Sequence, residues 1–480
     1  MMIGAKMLRH VLLLLAGLGL ATLSAPARAQ DPAPRPNILY IVADDLGWAD
    51  TGFQGSDIQT PALDALAAEG ARFMQFYAQP MCTQTRAALM TGRYPMRTGL
   101  QSFVILPEQT YGIPLEEKLL PQILKEAGYD TALIGKWHLG HADPAYWPRQ
   151  RGFDYHYGTL IGEIDYFTRQ IHGLTDWYRD NEVIEEEGYV TELLGQDAVR
   201  YIEEHDGEDP FFLYLAFTAP HTPFQAPEAD LARYDHVADP NRRAYAAMVT
   251  AMDTQIAAVI DALERSGQRD DTLVIFHSDN GGVRTAALAG EIEFEGDLPA
   301  SNGDLRGGKG DLFEGGTRVV AFAHWPGVIA EGTVDGVMHV VDMLPTLAGV
   351  AGAEVTGTQP LDGLDVWQTI ATGAPSPRSE IVYNVEMFRG ALRDGDWKLF
   401  YRAPLPSARM LFNLADDPNE TTDRAADHPE IAAALEARIQ ELAGQMARSK
   451  FFEQTMQSYM GREIGAPAFP NTDDYFNIHD

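Results

Sequence analysis

The sequence predicts an α/β protein with a large doubly wound, mainly parallel sheet flanked by helices, followed by a smaller C-terminal α+β subdomain containing an antiparallel sheet. Three observations carry this. Segments Asn37–Ala43, Asp130–Ile134, Phe211–Phe217 and Thr272–Ser278 read as strands, and the first is continuously apolar, as a strand buried on both faces must be. Stretches with helical spacing separate them, which gives the alternation expected of parallel pairing. From about residue 376 the helices give way to closely spaced strands and a hairpin.

The chain opens with Lys6 and Arg9 before the apolar run Val11–Leu20, and Ala27-Arg28-Ala29 then offers a small-x-small cleavage site. The run falls short of the roughly 20 residues a spanning helix needs, so residues 1–29 read as a signal peptide, with an uncleaved anchor as the alternative. The mature chain is expected to be exported, periplasmic or secreted, with no membrane span. After a Pro-rich lead-in, strand Asn37–Ala43 ends on Asp44-Asp45-Leu46-Gly47. Thr60-Pro61 starts a helix through Leu63, Leu66 and Ala67 that Gly70 stops, and Leu120-Pro121 opens another that ends at Gly128. Strand Asp130–Ile134 runs into Gly135-Lys136-Trp137-His138. Residues 153–190, rich in aromatics and acids, keep no period and read as loop. In that stretch Tyr166, Trp177 and Tyr178 suit either stacking on sugar faces or pinning of the loop, and Glu185-Glu186-Glu187 reads as a solvated face. An amphipathic helix at 191–204 precedes strand Phe211–Phe217, which leads to Thr218-Ala219-Pro220-His221. A long helix through Met248, Ile256 and Leu263 stops at Gly267, and strand Thr272–Ser278 delivers Asp279-Asn280. These elements define a catalytic domain over 36–372. The C-terminal subdomain, 376–480, holds strand Glu380–Val385, a hairpin over 391–400 with a Gly turn, a strand at 411–414 and a helix over 431–446. The tail from Gly461 shows no period and is expected to wrap over the surface.

The formal charge is −33, and removal of the leader takes three cations and no acid, leaving −36. So acidic a surface argues against nucleic acid and anionic membranes as partners. An anionic substrate would need a local cluster of Lys, Arg, His or a metal ion.

Four candidate strands end in chemistry: Asp44-Asp45, Lys136-x-His138, His221, and Asp279-Asn280. In doubly wound sheets ligands bind outside the carboxyl ends of the strands, so these groups point to one composite site. Asp44, Asp45, Asp279 and Asn280 are hard oxygen donors on two strand ends and suit Ca²⁺ or Mg²⁺; taken alone, either pair equally suits a cap or a loop turn. His324 and His339 read as packing residues.

The single cysteine, Cys82, cannot belong to an internal disulfide. Thr83, Gln84, Thr85 and Arg86 follow it and lead into Ala87-Ala88-Leu89-Met90, the first turns of a helix. A Cys at a helix N-terminus with Arg one turn on sits where backbone N–H groups and a fixed positive charge converge, which favours a thiolate or a bound anion; the alternative is inert apolar filling.

Cys82-x-x-x-Arg86 followed by Leu89-x-Thr91-Gly92-Arg93-Tyr94-Pro95 resembles the sulfatase signature, in which the Cys is oxidised to formylglycine. The wider match is to arylsulfatase B-type enzymes, the N-acetylgalactosamine-4-sulfatase group. The family pattern is Cys-x-Pro-Ser-Arg, and here Gln84 stands in place of Pro, so the core that the formylglycine-generating enzyme reads is altered. The resemblance implies one Ca²⁺ held by Asp44, Asp45, Asp279, Asn280 and the matured Cys82. One hydroxyl of the hydrated aldehyde attacks sulfur and expels the alcohol; the other releases sulfate. It further implies that Arg86 holds this diol, Lys136 binds sulfate oxygen, His138 assists the collapse, and His221 with Lys309 binds sulfate and protonates the leaving oxygen. The expected substrate is a sulfated sugar or polysaccharide fragment. Two rivals stand beside this: a phosphodiesterase or phosphonate monoester hydrolase of the same superfamily, and a sulfated-glycan binding protein if Cys82 stays unmodified.

Overall fold

A computed structural model of the protein describes residues 35–285, 298–403 and 406–463; the expected signal peptide and the tail beyond Glu463 lie outside them. The main sheet has ten strands in the order Gly332–Val334, Ala71–Phe73, Ala321–His324, Thr272–Ser278, Asn37–Ala43, Phe211–Ala216, Asp130–Lys136, Tyr155–Thr159, Tyr178–Arg179 and Glu182–Val183. The five consecutive strands from Thr272–Ser278 to Tyr155–Thr159 run parallel, with antiparallel additions at both edges. The four strands expected from sequence are thus immediate neighbours. Their registers pair Ala43 with Ser278, Val42 with Ala216, and Ala216 with Gly135, so their carboxyl ends finish level.

Strand Asn37–Ala43 shows why a continuous apolar run was needed. Leu39, Ile41 and Ala43 pack on one face with helices Val190–Glu204 and Pro240–Arg265. Ile38, Tyr40 and Val42 pack on the other face with Ala87–Met90, Leu120, Leu124 and Leu344. Side chains of a strand alternate between faces, so a strand covered on both sides has no polar position to spare. Pro240–Arg265 is long and apolar enough to cross a membrane by length and composition, yet 67% of its apolar window is buried inside the protein.

Residues 153–190 differ from the expectation of loop alone. Tyr155–Thr159 is a parallel strand of the main sheet, and two short ribbons follow it. Gly158, at φ +141°, breaks any period there, and a Cβ on it would meet the Gly135 carbonyl oxygen at 2.3 Å. Tyr166, Trp177 and Tyr178 are all buried: they pin this segment rather than offer faces to a sugar. Glu186 is not merely solvated, because it accepts from Trp177 Nε1 at 2.7 Å and from the Tyr157 hydroxyl.

The C-terminal sheet has four antiparallel strands, Glu380–Val385, Arg389–Asp394, Trp397–Arg402 and Ala408–Asn413, with Gly395 at φ +56° in the expected turn. Helix Pro429–Gly444 covers it, and a further helix, Lys450–Glu463, had no visible signal. The described residues, from Arg35 to Glu463, pack as one compact unit. Val382, Leu392, Leu399 and Leu411 enter the same apolar cluster as the main sheet. A buried charge network also ties the two parts together: Lys398 Nζ lies 3.0 Å from Glu314 Oε1 and 2.9 Å from Glu420 Oε1, and Tyr77 and Tyr383 donate to Glu314 at 2.8 and 2.7 Å. His324 and His339 are buried in packing roles, as expected.

Candidate active site

All ten residues singled out from the sequence meet above the level carboxyl ends of the four central parallel strands. Asp44 and Asp45 follow strand Asn37–Ala43 directly. Asp45 adopts φ +66°, a left-handed conformation that Asp tolerates better than most residues, and this turns its carboxylate inward. Its amide donates to Asp279 Oδ1 at 3.2 Å, and its Oδ1 accepts from Asn280 Nδ2 at 2.7 Å. The two acidic strand ends are thereby laced together.

Cys82 is the first residue of helix Cys82–Thr91. Polar as this stretch is, it is not a solvated face: Cys82, Thr83, Gln84, Thr85 and Arg86 are all buried. Their polarity is spent inward. Thr83 Oγ1 donates to the His138 carbonyl at 3.1 Å and accepts from the Ile105 amide at 3.2 Å. Thr85 Oγ1 contacts the Asp279 carbonyl at 2.6 Å. Arg86 grips Asp279 Oδ2 through Nη2 at 2.9 Å and the Lys136 carbonyl through Nη1 at 2.8 Å. The Cys82 Sγ lies 3.3 Å from Asp44 Oδ1. Burial, reinforced by Asp279 and Asp44, pushes the thiol well above its ordinary pKa. An unmodified Cys82 therefore stays a thiol at neutral pH, poor as a nucleophile.

Three cations balance the carboxylates. Lys136 Nζ ion-pairs with Asp44. Burial raises the Asp44 pKa, but Lys136, His221 and Arg86 outweigh it and hold the carboxyl below its usual range. Lys309 Nζ lies 2.8 Å from Asp45 Oδ2 and 3.0 Å from His221 Nε2. Burial lowers the Lys309 pKa, yet Asp45, with Asp44 behind it, more than compensates, so its ammonium keeps its proton.

Lys136 and His138 reach the site by a different route from simple strand alternation. The strand ends at Lys136, and His138 sits at φ +57° while Trp137 is buried in the core between them. The His138 Nε2 faces the Ile105 carbonyl at 3.0 Å; against an acceptor, that nitrogen must carry the ring proton. The buried Nδ1 has no hydrogen-bond partner among the described residues. Burial, with Lys136 and Arg86 nearby, holds His138 well below its usual pKa. The ring is neutral, with Nδ1 as its lone-pair side.

Donor atoms of Asp44, Asp45, Cys82 and His221 all lie within 4.8 Å of one another. Asn280 Oδ1 is buried with no hydrogen-bond partner among the described residues, and a buried amide oxygen left so is costly. Carboxylates plus an orphaned amide oxygen form a hard donor set that fits Ca²⁺.

A cavity of about 140 Å³ opens above Cys82, His138, His221 and Lys309. Its walls, Phe103–Pro107 and Ile161–Glu163, were not marked from sequence. The first is an irregular apolar run held beside the site by long-range contacts, among them those to Thr83, His138 and His141. The second held one legible sign, Gly162: a Cβ there would come within 2.3 Å of the His138 ring.

Comparison with known proteins identifies the family. The family model described as Sulfatase matches residues 36–353. Arylsulfatase J of Mus musculus is 39% identical over 376 residues, covering 76% of this chain and 61% of that protein. N-acetylgalactosamine-6-sulfatase of Homo sapiens is 35% identical over 382 residues, covering 75% of this chain and 70% of that protein. Among solved structures, Ps i-CgsB in complex with k-i-k-neocarrahexaose superposes with a TM-score of 0.80 at 32% identity, over 92% of this chain and 99% of that one. The phosphonate monoester hydrolase of Agrobacterium radiobacter, at 22% identity and a TM-score of 0.62 over 86% of this chain and 96% of that one, shares the fold.

Proposed function

The chain belongs to the sulfatase family, and from that premise we propose that it is a calcium-dependent, exported sulfuric ester hydrolase of the arylsulfatase B-like type, using a formylglycine made from Cys82 to remove sulfate from a sulfated carbohydrate. The observation that carries the reading is the convergence of Asp44, Asp45, Cys82, Arg86, Lys136, His138, His221, Asp279, Asn280 and Lys309 over four adjacent strand ends. The complex of Ps i-CgsB with k-i-k-neocarrahexaose supports an oligosaccharide as the substrate class.

Asp44, Asp45, Asp279 and Asn280 would hold the calcium ion, which supplies fixed positive charge against a sulfate oxygen. Formylglycine supplies at position 82 the hydrated aldehyde that a high-pKa thiol cannot replace. The chain's other residues divide the remaining work. Arg86, anchored on Asp279, fixes charge behind position 82. Lys136 and Lys309 flank the site and bind sulfate oxygens, a preorganised clamp that needs no rearrangement as charge shifts. The Lys309 ammonium, 3.0 Å from His221 Nε2, keeps a proton at hand for the departing alcohol oxygen. His138, neutral and with Nδ1 as acceptor, takes up a proton when the nucleophile is regenerated.

The test is peptide mass spectrometry across Cys82 after co-expression with a formylglycine-generating enzyme, followed by turnover of 4-nitrophenyl sulfate against an aryl phosphodiester. The expected result is the aldehyde and its hydrate, faster turnover of the sulfate, and a melting midpoint that falls with EGTA and returns with Ca²⁺. Aldehyde without sulfate turnover would favour the phosphodiesterase rival. Thiol alone, with retained affinity for sulfated glycans, would favour the binding protein.

A further inference from the structure

Three arginines converge on a second groove, at the junction of the C-terminal sheet with the loop that carries Lys309. This cavity, about 230 Å³, is lined by Arg306, Arg389 and Arg402, by Phe313 and Phe400, and by Asp311. Only 36 of the chain's 480 residues are Lys or Arg, against 69 acids. Three of them in one groove therefore run against the composition.

The register sharpens the point. Arg389 and Arg402 are directly opposite one another on adjacent antiparallel strands, so their side chains share a face, where like charges destabilise a sheet. The neighbouring acids offset them only in part. Glu386 pairs with Arg389 through Nε, at 2.6 Å. Asp311 accepts from the Gly308 amide at 3.0 Å, which keeps the loop in shape. Arg402 gives one bond, from Nη2 to the Pro406 carbonyl at 3.0 Å, and its buried Nε has no partner among the described residues. Beneath the arginines lies an aromatic floor. Phe313 stacks on Phe400 with centroids 4.9 Å apart, and the Arg306 guanidinium lies 3.9 Å over Phe313.

The groove is tied to the catalytic cavity by a short, stiff connection. Arg306 precedes Lys309 by three residues, which limits their Cα separation to about 11 Å. The strap between them is fixed by bonds from Gly315 N to the Arg306 carbonyl at 2.7 Å and from Gly310 N to the Pro80 carbonyl at 2.7 Å. Pro80 lies two residues before Cys82.

We propose that Arg306, Arg389 and Arg402 form an anion-binding subsite that holds a second, non-scissile sulfate ester of the same saccharide chain while the scissile one sits at Cys82. Guanidinium forks match the oxygens of such a group, and the anion relieves the Arg389–Arg402 repulsion, while the stacked Phe313–Phe400 pair holds Arg306 in place from below. The enzyme would then favour multiply sulfated oligosaccharides over isolated sulfate esters. The inference rests on the sulfatase reading for the identity of the anion; the groove's charge and register do not depend on it.

The test uses the full-length protein carrying Cys82→Ala, titrated calorimetrically with a disulfated galactan tetrasaccharide and its monosulfated counterpart, with and without Arg389→Gln/Arg402→Gln. The disulfated ligand is expected to bind at least about 10-fold tighter, and the double substitution to erase that preference. In the mature enzyme the same double substitution should leave 4-nitrophenyl sulfate turnover within twofold. Equal affinity for the two ligands, or an equal loss for both, would overturn the proposal. Absent turnover of 4-nitrophenyl sulfate by mature unsubstituted protein would instead count against the sulfatase reading, with the binding preference read independently.

Discussion

Gly162→Ala isolates the contribution of one imidazole. A Cβ at residue 162 would lie 2.3 Å from Cε1, 2.6 Å from Nε2 and 2.8 Å from Nδ1 of His138, whereas non-bonded carbon atoms settle at about 3.5–4.0 Å. Gly162 does not have the positive φ that would add backbone strain, so the added methyl acts through the ring alone. The ring must retreat by about 1 Å, which stretches its 3.0 Å bond to the Ile105 carbonyl beyond hydrogen-bond range. A misplacement of this size costs about 10²-fold in rate, and overpacking costs about 1–3 kcal/mol of stability. The assay is kcat/KM on 4-nitrophenyl sulfate with a parallel melt, for Gly162→Ala, His138→Ala and the double variant. If Gly162 works by seating His138, the double variant matches His138→Ala, a non-additivity expected of groups in contact. Additive losses, or a Gly162→Ala enzyme within twofold of the parent, would refute the role given to that ring.

Asp176, buried and pushed up to about 6 by that burial against its bonds from Thr159, Ile161 and Leu160, folds more readily protonated than ionised. Its native state binds the extra proton between about pH 4 and 6, so this group lowers stability as pH rises through that window and adds no further loss above it. Asp176→Asn should remove that slope and be the more stable form at pH 7 by roughly 3 kcal/mol, read from urea unfolding at several pH values. Lys398→Met leaves the Glu314 and Glu420 carboxylates buried without their shared cation, at a cost of about 3–5 kcal/mol; adding Glu420→Gln should recover part of it. A melting midpoint unmoved by Lys398→Met would show that the network is not a tie between the two sheets.

The central strands were legible because a strand buried on both faces cannot hide its apolar run, and the chemistry lay at their ends, where the sequence turns abruptly to Asp, His and Lys. The strand Tyr155–Thr159 was hidden by Gly158, which is there because the chain crosses the Gly135 carbonyl. Helix Cys82–Thr91 was legible as a helix but not as a buried one, since Thr83, Thr85 and Arg86 satisfy one another's surroundings only in three dimensions. Phe103–Pro107 and the Glu314–Lys398–Glu420 network could not be read at all: each depends on segments far apart in the chain. The facing of Arg389 and Arg402 likewise needs a strand register that composition does not supply.

The position of Lys136 bears on how freely this site can be rebuilt. Its strand and that of Asp44 are separated by Phe211–Ala216, so at strand spacings near 4.8 Å the two backbones stand roughly 10 Å apart. Asp44 is too short to bridge that gap, and the length must come from the lysine. The way across is open because the intervening level is occupied by Ala216 and Gly135, where a Cβ on Gly135 would strike the Ala216 carbonyl at 1.8 Å. Side-chain reach, as much as charge, thus fixes which residue can stand at each strand end. Away from Ile105 and Gly162, which seat His138, the segments Phe103–Pro107 and Ile161–Glu163 carry no such requirement, and substrate preference can be altered there while the lengths below remain matched.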